Sequence, residues 1–183
     1  WNREFASGMG VVNNVDVVNA TVNGSHFIGG VVGYNYGGTI QNCSASDVTV
    51  NCVPNVSGDS YDNGDKAGGI VGYLGSGTVT YNTASNVSLT AYRDVGGVVG
   101  TIADPLSQTV TVTNNSVSGA NILVDQTVNH YDDETPNGGA IIGRDDGITA
   151  TISGNTSENV TIRVVAESSD VITSALSAGA EVQ

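Results

Sequence analysis

A short signature of glycine and branched aliphatic residues, Gly29-Gly30-Val31-Val32-Gly33, recurs along the chain and limits what it can become. Gly68-Gly69-Ile70-Val71-Gly72 and Gly96-Gly97-Val98-Val99-Gly100 repeat it in full, and Gly139-Ala140-Ile141-Ile142-Gly143 repeats it with Ala140 as its second residue. The spacings are 39, 28 and 43 residues, counted 29 to 68, 68 to 96 and 96 to 139. A signature returning at such periods marks a repeat architecture. The shortest spacing, 28, sets the size of a bare unit, and the two longer ones must carry loops.

Between motifs the order of short elements is constant. A Thr-rich strand follows each motif: Thr39-Ile40-Gln41, Thr78-Val79-Thr80, Thr109 to Thr113, and Ile148 to Ile152. Next comes an Asn turn, at Asn42, Asn82, Asn114 or Asn115, and Asn155, and then another strand, led by Val48, Val87, Ile122 and Val160. A unit of three short strands cannot bury an apolar face alone, whereas stacked units pair each strand with its equivalent at about 4.8 Å and merge their apolar columns. The expected fold is all-β: a right-handed parallel β-solenoid of about four coils with two inserted loops, its hand following the preference of parallel crossovers. Val31, Ile70, Val98 and Ile141, or their immediate neighbours, should point inward, because a one-residue slip in register exchanges the two faces. Residues 1–183 read as one domain, with a lead-in or cap over 1–10, repeats over 11–165, and a terminal coil, cap or join to a following domain over 166–183.

Eighteen acidic against five basic residues give a net charge of −13. Nucleic acid needs basic contacts to phosphate, so it is not an expected partner. No apolar run is long enough to span a membrane. Trp1 opens no signal peptide, and the start reads as a mature or trimmed end. Cys43 and Cys52 are the two cysteines. In an exported protein they form one disulfide or remain a pair of buried free thiols, and spacing does not choose between these.

The motifs in Gly29 to Gly33 with Gly38-Thr39-Ile40-Gln41-Asn42-Cys43, and in Gly68 to Gly72 with Gly77-Thr78-Val79, resemble the GLUG repeat of secreted and cell-surface proteins. The likeness extends over roughly residues 10 to 165 and weakens at Pro105 and Arg144, where glycine-rich turns would be expected. It implies an extracellular, cell-surface location and a non-enzymatic structural or adhesion module: a stalk, an adhesin segment or a filament subunit. The partners implied are a cell-surface glycan or protein, or further copies of the chain end to end. No catalytic residue travels with the repeat.

The residues themselves add little enzymatic chemistry. There is no Gly-x-Ser-x-Gly elbow, and His26 and His130 are the only histidines. Parallel solenoids do host polysaccharide-degrading enzymes, so a carbohydrate-binding or polysaccharide-degrading β-helix is the alternative. Ice binding through the Thr column is a further one, which irregular periods and inserted loops disfavour. No cofactor is expected, but Asp59, Asp62 and Asp65 carry the hard oxygen ligands that structural calcium takes, at a spacing unlike the EF-hand. The insertions, 51–66 and 125–137, fall at the same place in their repeats and flank the short unit at Thr90 to Asp94. A ligand groove there would be walled by Tyr61, Asp62, Tyr131, Asp132 and Asp133 and floored by Tyr92, Arg93 and Asp94, a mixture suited to a sugar or a cation. Asn-x-Ser/Thr triplets occur at Asn19, Asn23, Asn42, Asn55, Asn86, Asn114, Asn155 and Asn159. They mark possible glycosylation sites, or else simple abundance of Asn, Ser and Thr.

Overall fold

The computed structural model describes residues 2–3, 10–53, 64–103, 109–128, 135–147 and 149–165. Every strand pairing among them is parallel, and each strand pairs with its equivalent one repeat away. The chain is therefore a parallel β-solenoid. Its described residues contain no α-helix, only a 3-10 turn at Gln126–Val128.

Each turn of the solenoid has four sides, one more than the sequence order suggested. The motif bends in its middle and supplies two of them. The first side stacks Ile28–Gly29, Lys66–Gly68, Asp94–Gly96 and Asn137–Gly139. The second begins at Val32, Val71, Val99 and Ile142 and carries the Thr strands; Val32–Gln41 and Val71–Thr80 run through it unbroken. The third side is a stack of three-residue strands too short to stand out in the sequence: Asp16–Val18, Ser44–Ser46, Thr83–Ser85, Ser116–Ser118 and Thr156–Glu158. The fourth runs through Thr21–Gly24, Thr49–Cys52, Ser88–Ala91, Asn121–Asp125 and Thr161–Val165. The third and fourth sheets have five strands each, so four turns follow a leading one.

The core consists of in-register columns, among them Val50, Leu89 and Ile122, and Ile40, Val79 and Val112, all at most 2% exposed. Ile70 and Val98 are fully buried, as are their neighbours Val71 and Val99, while Val31 and Ile141 are partly buried against the same core. Both members of each pair are covered because the chain turns a corner between them, so strict alternation does not apply.

The motif glycines are explained by close approach of backbones. A Cβ on Gly69 would overlap the carbonyl oxygen of Gly97 in the next turn and crowd the Cβ of Ala84 across the core at 3.1 Å. A Cβ on Gly97 would in the same way overlap the carbonyl of Ala140. Ala140 itself occupies this column in the last described turn, where no described turn follows to present a carbonyl.

Two corners on either side of the third side require positive φ in every turn. The first is made by Asn14, Asn42, Tyr81, Asn114 and Gly154, the second by Asn19, Asp47, Asn86, Gly119 and Asn159. These are residue types that tolerate the left-handed region, Tyr81 excepted. Asn42 therefore belongs to a corner. The buried Asn column lies one residue further on, at Asn82, Asn115 and Asn155, with Cys43 in the corresponding place of the turn before. Asn82 N–H and Nδ2 donate to Asn115 Oδ1 at 3.0 Å, and Asn115 N–H and Nδ2 donate to Asn155 Oδ1 at 3.0 Å. Each also reaches sideways, Asn82 Nδ2 to Ile40 O at 3.1 Å and Asn115 Nδ2 to Val79 O at 3.0 Å.

Candidate functional site

Two columns flank the motif bend, one lying two residues before the motif's first glycine and the other one residue after its last glycine. Register aligns Lys66, Asp94 and Asn137 in the first column, with Phe27 preceding Ile28 at the same level. The second holds Tyr34, Tyr73, Thr101 and Arg144. Side chains of the two columns meet, and the composition changes along the stack from aromatic to charged.

At the aromatic end, the Phe27 ring centroid lies 5.6 Å from that of Tyr34 and 4.7 Å from that of Tyr73. Tyr34 stacks on Tyr73 at 5.1 Å and 8°, and Tyr36 lies parallel to Tyr34 at 6.4 Å. Such pairs stabilise by about 0.5–1.5 kcal/mol each beyond their burial. All four rings are half-buried, so the strip reaches the surface. Lys66 Nζ sits 5.3 Å from the Phe27 centroid and joins this strip to the charged end.

At the charged end, Asp65 Oδ2 pairs with Lys66 Nζ and with Arg93 Nη2, the latter at 3.1 Å. Asp94 is fully buried. Its Oδ2 accepts from Thr101 Oγ1 at 2.9 Å and its Oδ1 from Asn137 Nδ2 at 2.8 Å. Arg93 Nε stands 3.4 Å and Arg144 Nη1 4.0 Å from Asp94 Oδ2. Burial holds the Asp94 carboxyl above the usual carboxylate range, opposed first by Arg93. Arg93, Asn137, Arg144 and Thr101 all favour the charged form but do not outweigh the loss of water.

The roots of the two insertions superimpose as the sequence implied. The fourth-side strands end at Cys52 and Asp125, and the first-side strands resume at Lys66 and Asn137, in register with Asp94. Tyr61, Asp62, Tyr131, Asp132 and Asp133 lie outside the described residues, as do Asp59 and the proposed groove walls as a whole. The expected floor is closed over: Tyr92 is 4% and Arg93 6% exposed, and Arg93 is turned into the ion pairs just described. Asp65, the one described member of the calcium candidates, shares its carboxylate with the ammonium and guanidinium groups of Lys66 and Arg93. Among the described residues no group of three or more His, Cys, Asp or Glu side chains is gathered as metal ligands would be.

Cys43 and Cys52 are buried and unbonded, so of the two readings the disulfide is the one the structure lacks. They occupy different columns. Cys43 fills the Asn position of its turn, with Sγ 3.1 Å from Gln41 O, and Cys52 ends the fourth side, where its Sγ donates to His26 O at 2.9 Å. Burial pushes the Cys52 thiol up to about 12, which keeps it protonated.

In the sequence Tyr34, Tyr36 and Tyr73 stand among Gly33, Gly37, Gly38, Gly72 and Gly75, a turn-like setting that hides the aromatic strip. The signal is there once the motifs are aligned: the pairs Phe27 and Tyr34, Lys66 and Tyr73, Asp94 and Thr101, and Asn137 and Arg144 bracket the four motifs identically.

Residues 24–51 match the family model of the GLUG motif. The match spans one turn of the solenoid, since Gly24 pairs with Cys52. No curated protein and no solved structure matches the chain.

Proposed function

We propose that this chain, which carries the GLUG motif, a repeat typical of extracellular proteins, is a structural and adhesive module of the cell surface that holds a glycan without converting it. The observation that supports this reading is the aromatic strip of Phe27, Tyr34, Tyr36 and Tyr73 on a rigid stack of strands, continued by Lys66. Half-buried ring faces and phenol hydroxyls complement the mixed CH and hydroxyl surface of a saccharide, and a surface held by ladder hydrogen bonds loses little entropy on binding. On a glycan array, the Tyr34→Ala/Tyr73→Ala double variant should bind its best glycan at least about tenfold more weakly, a change of about 1.4 kcal/mol. Circular dichroism on the same sample verifies the fold. Undiminished binding by the folded double variant would refute this assignment.

A second reading rests on the Thr columns. Thr39, Thr78, Thr111 and Thr151 are in register, as are Gln41, Thr80, Thr113 and Ser153 two residues on. The two insertions open between the fourth and first sides, away from these columns, so they do not interrupt them as the sequence suggested. Regular hydroxyls are what an ice-ordering surface requires. Thermal hysteresis of a concentrated solution, reduced by Thr111→Lys, is the expected result; freezing indistinguishable from that of an unrelated protein of equal concentration removes this reading.

A further inference from the structure

The two left-handed corners carry a pattern that neither the fold nor the aromatic strip accounts for. In the leading turn the second corner is an Asn-x-Ser/Thr triplet, at Asn19, and the first, at Asn14, is not. In the next turn the first corner, Asn42, is one and Asp47 is not. The assignment then swaps at every turn: Asn86 but not Tyr81, Asn114 but not Gly119, and Asn159 but not Gly154. Each turn thus has one triplet corner, and no two triplet corners are adjacent along either edge.

Backbone geometry explains part of this. Positive φ favours Asn, and the residue two positions on opens a strand and faces outward, where Ser and Thr are common. It does not require the alternation. A bulky substituent does. Neighbouring turns are about 4.8 Å apart, too close for two saccharide chains side by side, whereas every second turn gives about 9.6 Å. Asn19, Asn42, Asn86, Asn114 and Asn159 are all exposed. The turns after Asn86 and Asn114 place Gly119 and Gly154 next to their carboxamides, positions where a Cβ would meet the Asn Oδ1. Asn42 Nδ2 donates to Asn13 Oδ1 at 2.9 Å and Asn86 Nδ2 to Asp47 Oδ1 at 3.3 Å. An amide nitrogen has two hydrogens, so substitution of one leaves the other for these bonds.

We propose that the chain is N-glycosylated along both edges, at Asn19, Asn42, Asn86, Asn114 and Asn159. The donor is an oligosaccharide linked to a lipid phosphate. The Asn Nδ2 forms a bond to the anomeric carbon as the bond to the lipid phosphate breaks, the phosphate leaves with the electron pair, and the nitrogen gives up one proton. The other described triplets differ. Asn155 is built into the buried column, with Nδ2 donating to Val112 O at 2.9 Å and Oδ1 accepting from Asn115. Asn23 lies within a strand, and its Oδ1 accepts from Asn51 Nδ2 at 2.8 Å. Asn155 is therefore expected to be bare, and Asn23 stands outside the corner alternation.

The inference rests on the extracellular reading, and the two are separable. Cell fractionation locates the protein in its source cells, and glycopeptide mass spectrometry of the full chain then reads each Asn. Saccharide on the corner residues with Asn155 unmodified is the expected result. An exported protein with bare corners, or with a glycan on Asn155, overturns the glycosylation and leaves the location standing; a protein retained in the cytosol with bare corners overturns both. Ser88→Ala provides the control for folding. It keeps Asn86 in its corner and changes one exposed side chain, yet it should remove one glycan from the intact mass. An unchanged glycan mass in this variant counts against the proposal.

Discussion

Replacing Gly69 with alanine should destabilise the solenoid by about 3 kcal/mol, the upper end for overpacking, or prevent it from folding. The new methyl group would overlap the Gly97 carbonyl of the next turn and press on Ala84 from across the core. Neither neighbour is the movable end of a long side chain. The stack can accommodate the methyl only by separating two turns, which weakens ladder bonds on either side, including Gly69 N–H to Gly96 O at 3.1 Å and Ile70 N–H to Val98 O at 3.0 Å. The reverse change at the equivalent position, Ala140→Gly, should cost no more than about 0.5–1 kcal/mol through backbone entropy. Urea unfolding of both variants gives the comparison. Equal midpoints would show that inter-turn contact is not what selects glycine in this column.

Asn115→Ala should cost about 3 kcal/mol or more, because several buried polar groups lose a partner together at about 1–3 kcal/mol each. Asn115 is 1% exposed, accepts from the main chain and side chain of Asn82, and donates to Val79 O and Asn155 Oδ1. Alanine keeps the backbone but leaves Asn82 N–H without its acceptor in a place water does not enter. Asn155 is only partly buried at the end of the column, so Asn155→Ala should cost less. A double-mutant cycle of Asn82→Ala with Asn115→Ala should show strong coupling, since Asn82→Ala removes the Nδ2 donor that Asn115→Ala has already stranded. Additive losses would mean that the residues act as independent turn formers.

The column shows where residue patterns stop being decisive. That an Asn follows each Thr strand is plain from the sequence, but Asn114 and Asn115 are adjacent and one of them had to be chosen. The corner takes the residue with positive φ, Asn114, and the column takes the next, Asn115. The turn after the leading one has Asn42 at the corner and Cys43 in the column, so Asn42 belongs with Asn114 and not with Asn82. Each residue type suits either place, and only the register of neighbouring turns separates them.

The repeated motif, the 28-residue unit and the position of the two insertions determined a stacked parallel solenoid with loops at one seam, because a three-strand unit with one apolar face has no other way to bury it. The composition also fixed its acidity. Tertiary structure alone decided that the motif bends, since backbones meeting at Gly72 and Gly100 are contacts between residues distant in sequence. It decided that Arg93 and Asp94 turn into a buried ion cluster, because Thr101 reaches Asp94 only across the bend of its own motif, and Asp65, Asn137 and Arg144 reach the pair only when turns stack. It likewise brought Phe27, Tyr34 and Tyr73 into one strip: a pattern along the chain gives the column a residue occupies, and only stacking at about 4.8 Å gives the side chains it then touches.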